Sequence, residues 1–217
     1  MSLHNVTLHV PPKNKLSGRL DVLMMVSGFL LAVFVGMHML FVGSVILSPS
    51  LMNGLAWFFE ELYLVQIGGP LILLVMIGHF ILGARKMPFR QKEYIAFRAH
   101  SKMMHHQDTT LWLVQVATAI IILVMASIHI YTMLDTLPIT AVKSAARIQH
   151  GSWMPFYIVL LAAAAIHIVI GLYRIGAKIG FITRANRPAY RKYMVYLLVA
   201  AAAISFLTHV RLSLLSI

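Results

Sequence analysis

Five long apolar stretches, at residues 20–47, 62–84, 111–133, 152–175 and 193–210, alternate with short polar connections along the chain. A bilayer core about 30 Å thick takes roughly 20 residues of helix at about 1.5 Å per residue. Each stretch therefore predicts one transmembrane helix, and together they use most of the 217 residues. The expected fold is an all-α membrane protein with five transmembrane helices, residues 1–217 forming a single transmembrane domain. Asp21 stands at the start of the first stretch, where a carboxylate favours the helix dipole, and Ser48-Pro49-Ser50 breaks its far end. The connection that follows holds Trp57, Phe58, Phe59, Glu60, Glu61 and Tyr63 and resembles an interfacial aromatic belt. Gly68-Gly69-Pro70 predicts a kink in the second helix. Asp108-Thr109-Thr110 offers capping chemistry ahead of the third. Lys143 and Arg147, at i and i+4, predict a short amphipathic surface helix within residues 139–150.

Composition agrees with the pattern. The chain is 60% hydrophobic and 11% charged, with a mean hydropathy of +0.84, which lies outside the range of soluble domains. The segment up to Arg19 is polar, and the apolar run behind it is longer than a signal-peptide core and lacks a clear cleavage site, so a retained first helix is expected. With no cysteine, a Cys-ligated iron–sulfur cluster, a thioether-attached haem and a disulfide are excluded. The net charge of +12 raises the question of nucleic acid, but its distribution answers it. Fifteen of the eighteen Lys and Arg precede the first helix or fall after the second and fourth; Lys143, Arg147 and Arg211 lie opposite. The positive-inside rule then places the N-terminus in the cytoplasm and the C-terminus on the outer side, and no nucleic-acid partner is needed.

One histidine interrupts each of the first four apolar stretches: His38, His79, His129 and His167. His38 and His129 fall about 14 and 6 Å from the outer ends of their helices, and His79 and His167 about 8 and 12 Å from the inner ends, at the rise of an α-helix. Depth therefore pairs His38 with His129 and His79 with His167. Haem iron in an electron-transfer protein takes two axial ligands, and imidazoles on facing helices suit a macrocycle held in a bundle. The expectation is two b-type haems stacked across the membrane, with the first four helices around them and the fifth in support. A four-histidine metal or proton site is the competing reading. Gly36, Gly78, Ala126 and Ala165 could leave room for a porphyrin or serve ordinary helix packing. Propionate partners are sought in Trp112 and Arg147, with Arg174 and Lys178 near the inner haem. The remaining histidines, His4, His9, His100, His105, His106, His150 and His209, are expected at solvated or interfacial positions.

The pattern of one histidine on each of the first four helices, alternating outer and inner, resembles the dihaem cytochrome b subunits of menaquinol:fumarate reductases and related succinate dehydrogenases, over about residues 20–210. Trp112, Arg147 and Lys178 also fall where that family places haem-contacting residues. The resemblance implies a bacterial cytoplasmic-membrane protein of anaerobic respiration. It would anchor a flavoprotein subunit and an iron–sulfur subunit on the cytoplasmic side, in a dimer of heterotrimers. It further implies oxidation of menaquinol near the outer haem, with electrons passing inward to the iron–sulfur subunit. Family members use a glutamate in the region of Glu60 and Glu61, so one of this pair is the expected proton acceptor, against the alternative of a solvated helix start. Certain relatives carry an acid on the fourth helix, where this chain has Ala165; outer-side proton exchange with electrogenic electron transfer is the resulting expectation. Succinate oxidation on the same scaffold, a hydrogenase or formate dehydrogenase cytochrome b, and a haem-free proton or cation transporter are the alternatives.

Overall fold

A computed structural model describes residues 15–88, 90–104 and 107–217. The expectations for His4, His9, Lys13, His105 and His106 lie outside the described residues, as do those for the side chains of His100 and Lys102. Among the described residues there are eight α-helices: α1 (Lys15–Gly43), α2 (Pro49–Glu61), α3 (Leu64–Ala84), α4 (Gln91–Met104), α5 (Gln107–Asp135), α6 (Ala141–Gln149), α7 (Trp153–Lys178) and α8 (Arg187–Ser213). Five of these spans, those of α1 with the 3-10 turn behind it, α3, α5, α7 and α8, are long and apolar enough to cross a membrane. They match the five apolar stretches, with different ends. Helix α8 starts at Arg187, so Arg187, Arg191 and Lys192 form its first turns rather than a loop, with Pro188 early in the helix where its missing N–H costs nothing. Helix α3 carries Pro70 in its interior, at the position where the sequence predicts a kink.

Helices α1, α3, α5 and α7 make a four-membered ring, each packed on the next and α7 closing on α1. Helix α8 lies outside this ring against α7 and α1, approaching so closely that a Cβ on Gly43 would stand 3.3 Å from Ile204 Cγ2. The surface is inverted relative to a soluble protein. Neither α1 nor α3 has a fully buried residue, and Leu23, Phe29, Leu30, Leu71 and Leu74 are more than half exposed, as lipid-facing residues are.

The tightly packed core sits at one end, here called the outer end, where α2 and α6 lie across the bundle. Val45, Met52, Ala141, Ala145, Ile148 and Leu212 are buried together there. The connection after the first span, expected as an interfacial belt, thus folds as a helix. Ser48 ends α1's span and caps α2, its Oγ accepting from Leu51 N at 3.0 Å, with Pro49 in the first turn. The amphipathic helix expected around Lys143 and Arg147 is α6, capped by Thr140. Three side chains fasten this cap: Asn53 Oδ1 accepts from Ala141 N at 2.7 Å, Glu60 Oε1 from Ile139 N at 2.6 Å, and Gln149 Nε2 donates to the carbonyls of Leu212 and Leu215.

The opposite, inner end is held by charge. Asp21 lies a turn and a half inside α1 rather than at its start, and its carboxylate binds Lys86 (2.7 Å), Lys178 (2.9 Å) and Arg85 (3.2 Å). Asp108 lies in the first turn of α5, and Tyr173, Arg187 and Arg191 take its two oxygens, joining α5 to α7 and α8. Asp21 and Asp108 are thus cross-links between helices, which a one-dimensional capping argument does not reveal.

Met52→Ala opens a void in the cap and is expected to lower unfolding stability in detergent by about 2–5 kcal/mol, measured as a fall in melting temperature. Asp21→Asn is expected to cost at most about 1 kcal/mol, because its partners are partly solvated. The gap to wild type should narrow as salt rises from 0.05 to 1 M, as it does for screened charges; a salt-independent gap would contradict this account.

Candidate functional site

The centre of the ring is not filled by its own side chains. A cavity of about 1060 Å³ runs along it, with a mostly apolar wall that includes His38, His79, His129 and His167. That exceeds the roughly 300–1,000 Å³ of ordinary small-molecule sites. Each of the four helices of the ring contributes one imidazole because each carries one histidine on its inward stripe.

The structure brings His38 and His129 together, with ring centres 5.9 Å apart and planes inclined by 62°. His38 and His129 are the two side chains that would hold a metal between α1 and α5. His79 and His167 line the inner part of the same cavity. In three of the four rings Nδ1 is already engaged. His79 Nδ1 meets Ser27 Oγ at 3.0 Å, His129 Nδ1 meets Tyr157 Oη at 3.2 Å, and His167 Nδ1 donates to the Gln115 carbonyl at 3.0 Å with Thr118 Oγ1 at 3.1 Å. Only a protonated nitrogen can bond a carbonyl, so Nε2 of neutral His167 carries a lone pair. A metal-ligating imidazole is characteristically held in this way, one nitrogen on the protein and the other free. Among the described residues no three His, Asp or Glu converge to hold a bare metal ion, so the four-histidine metal site considered from sequence is not formed. Two imidazoles suffice for a metal that brings its own macrocycle.

Glycine decides one contact. A Cβ on Gly28 would lie 2.7 Å from Cε1 of His79, so the imidazole rests directly against the α1 backbone. Gly36 and Gly78, expected to make room, have no neighbour within 4 Å of a built Cβ, whereas Ala126 does line the cavity.

Cations stand at both ends. Arg147 lines the outer part, donating to Thr136 Oγ1 at 2.8 Å, with its guanidinium 5.8 Å from the Trp153 ring centre. At the inner end Trp112, Arg174 and Lys178 all line the cavity. Trp112 packs on Phe97 of α4 at 4.6 Å, Arg174 binds Gln115 Oε1 at 2.7 Å, and Lys178 is shared with Asp21. Glu60 is half-buried and turned toward the linker from α5 to α6, while Glu61 is exposed.

Ser27, Gly28, Gln115, Thr118 and Tyr157 were not singled out from sequence. A signal for two of them exists: Ser27 precedes His38, and Thr118 precedes His129, by eleven residues. Eleven residues are close to three full turns, so each hydroxyl shares a helix face with an outer histidine while supporting an inner histidine from the next helix. Tyr157 has no such register. His209, expected at an interfacial helix end, instead lines the cavity, with its Nε2 buried.

The model of the succinate dehydrogenase/fumarate reductase transmembrane subunit family matches residues 91–208. The fumarate reductase cytochrome b subunit of Wolinella succinogenes is 31% identical over 215 residues, covering 92% of this chain and 84% of the relative. That of Helicobacter pylori is 33% identical over 189 residues, covering 83% and 74%.

Proposed function

Since the chain belongs to the succinate dehydrogenase/fumarate reductase transmembrane subunit family, we propose that it is the dihaem cytochrome b subunit that anchors a fumarate reductase complex and serves its oxidation of menaquinol. The observation that carries the reading is the set of four imidazoles on four facing helices around one apolar cavity, three with Nδ1 already satisfied by the protein. The names of the relatives, cytochrome b subunits of fumarate reductase, support haem as the occupant and flavoprotein and iron–sulfur subunits as the partners.

In this reading His38 and His129 hold the iron of an outer haem, and His79 and His167 that of an inner haem. When bound, the two haems supply one-electron carriers through which electrons drawn from menaquinol cross the membrane to the iron–sulfur subunit. The protein's own part is to orient and insulate. Ser27, Tyr157, Thr118 and the Gln115 carbonyl fix ring rotation, so that Nε2 points inward without reorganisation. Arg147 at one end, and Arg174, Lys178 and Trp112 at the other, are placed to bond propionates. The apolar wall keeps water from the interior.

Oxidation of a quinol releases protons that need an acceptor at the membrane edge. Of the two expected carboxylates, Glu60 suits the role better. One oxygen is anchored on Ile139 N, which leaves the other for a ligand, whereas Glu61 is exposed. The basic inner face, with Arg85, Lys86, Arg184 and Lys192, is the docking side for the partner subunits, and the positive-inside rule makes it cytoplasmic. No carboxylate stands within the membrane-spanning part of α7, where Ala165 precedes His167, so protons exchange on the outer side.

Replacing any one of His38, His79, His129 or His167 by Ala is expected to lower the haem content of the purified complex from two to about one per chain, measured by reduced-minus-oxidised spectra. Retention of both haems in all four variants rejects the assignment. Glu60→Gln is expected to slow menaquinol-driven fumarate reduction by about 10²–10⁴-fold with both haems retained, while Glu61→Gln stays within a few-fold of wild type. The reverse order would exchange their roles.

A further inference from the structure

His209 is a fifth histidine on the cavity wall, and nothing above uses it. It lies near the outer end of α8, on the turn before Leu212, which belongs to the cap. Its Nδ1 is 2.7 Å from the carbonyl oxygen of Ser205, one turn earlier. A carbonyl only accepts, so Nδ1 carries the proton, and Nε2 of the neutral ring is a lone-pair acceptor. That Nε2 is buried and has no hydrogen-bond partner among the described residues. The position is not slack, because Gln149 ties the following turn of α8 to α6 through the Leu212 and Leu215 carbonyls. A buried acceptor without a donor is destabilising, which argues that a ligand supplies one.

The chemistry of that donor is restricted. A haem propionate is an acceptor and does not complement the lone pair of the neutral ring. Thr208, the neighbour on α8, already donates to the Ile204 carbonyl. The Tyr157 ring centre is 6.5 Å away, and its hydroxyl is engaged with His129. A phenolic hydroxyl on a flat apolar ring fits what remains, as donor to Nε2 and as a body for the apolar wall. We propose that His209 is a quinol-binding residue, its Nε2 accepting a hydrogen bond from one hydroxyl of the quinol at the outer end of the cavity. The proposal rests on the reading of the chain as a menaquinol-linked dihaem subunit.

The test uses the intact complex in proteoliposomes and a pair of competitors: a hydroxylated naphthalene and its O-methyl ether, which lacks the donor. Affinity for each is read from displacement of menaquinol-driven haem reduction and from direct equilibrium binding. In His209→Ala the hydroxyl compound is expected to bind about tenfold more weakly, the size of one lost hydrogen bond. The methyl ether should bind unchanged, and both haems should remain. His209→Gln, which offers an amide oxygen, should recover most of the loss. If His209→Ala does not assemble, His209→Leu and His209→Gln carry the same comparison.

Equal binding of both compounds by wild type and variants overturns the proposal, as does loss of a haem, which would make His209 an axial ligand. A shift in the outer haem potential with unaltered affinities also overturns it, because His209 would then act only through Tyr157. A wild-type complex whose haems menaquinol does not reduce would instead refute the underlying function. Normal reduction without discrimination by His209 would refute this inference alone.

Discussion

The structure depends on an interior that the helices do not fill. Close packing is what ordinarily holds a bundle together, and a void forfeits the dispersion contacts of everything that lines it. Here α1, α3, α5 and α7 surround about 1060 Å³ that their side chains leave open. The bundle is therefore held where it can be, at its two ends. Asp21 and Asp108 draw cations from several helices at one end, and a small apolar core with three side-chain-to-backbone bonds closes the other.

The same constraint orders the chemistry. Because the middle is left open and its wall is mostly apolar, the polar groups that reach it are few. Ser27, Tyr157, Thr118 and Gln115 brace three of the four histidines, and Gly28 removes the one Cβ that would push His79 aside. The bracing runs between neighbouring helices, so the orientation of each imidazole depends on the packing of the ring as a whole. A site of this kind is rigid without being solid.

Much of this was legible in the sequence, because crossing a bilayer imposes length, apolarity and backbone self-sufficiency on a helix all at once. The five spans follow from those demands, and a histidine within an apolar run stands out against them. The structure places all four of these histidines on one cavity and brings His38 and His129 to within 5.9 Å. What the sequence does not disclose is folding across the membrane's edge. Residues 49–61 read as a connection, because a helix that lies along an interface has neither the length nor the uniform apolarity of a span. Asp21 and Asp108 read as helix-end charges, because their partners are 64 to 157 and 65 to 83 positions away in the chain. His209 reads as a helix-end residue for the same reason: its depth is set by the cap above it, which no local pattern records.

The cap also has a place in time. Its parts come from residues 45–60, 139–149 and 212–215, so the last tie, from Gln149 to the Leu212 and Leu215 carbonyls, needs nearly the whole chain. When a ribosome feeds the helices into the membrane in order, the four helices of the ring are synthesised before that tie can form. All four histidine-bearing helices are therefore made while the outer end still lacks the residues of its final fastening. The tie at the C-terminal turn of α8 is thus the last of the cap's three fastenings that synthesis in chain order makes possible.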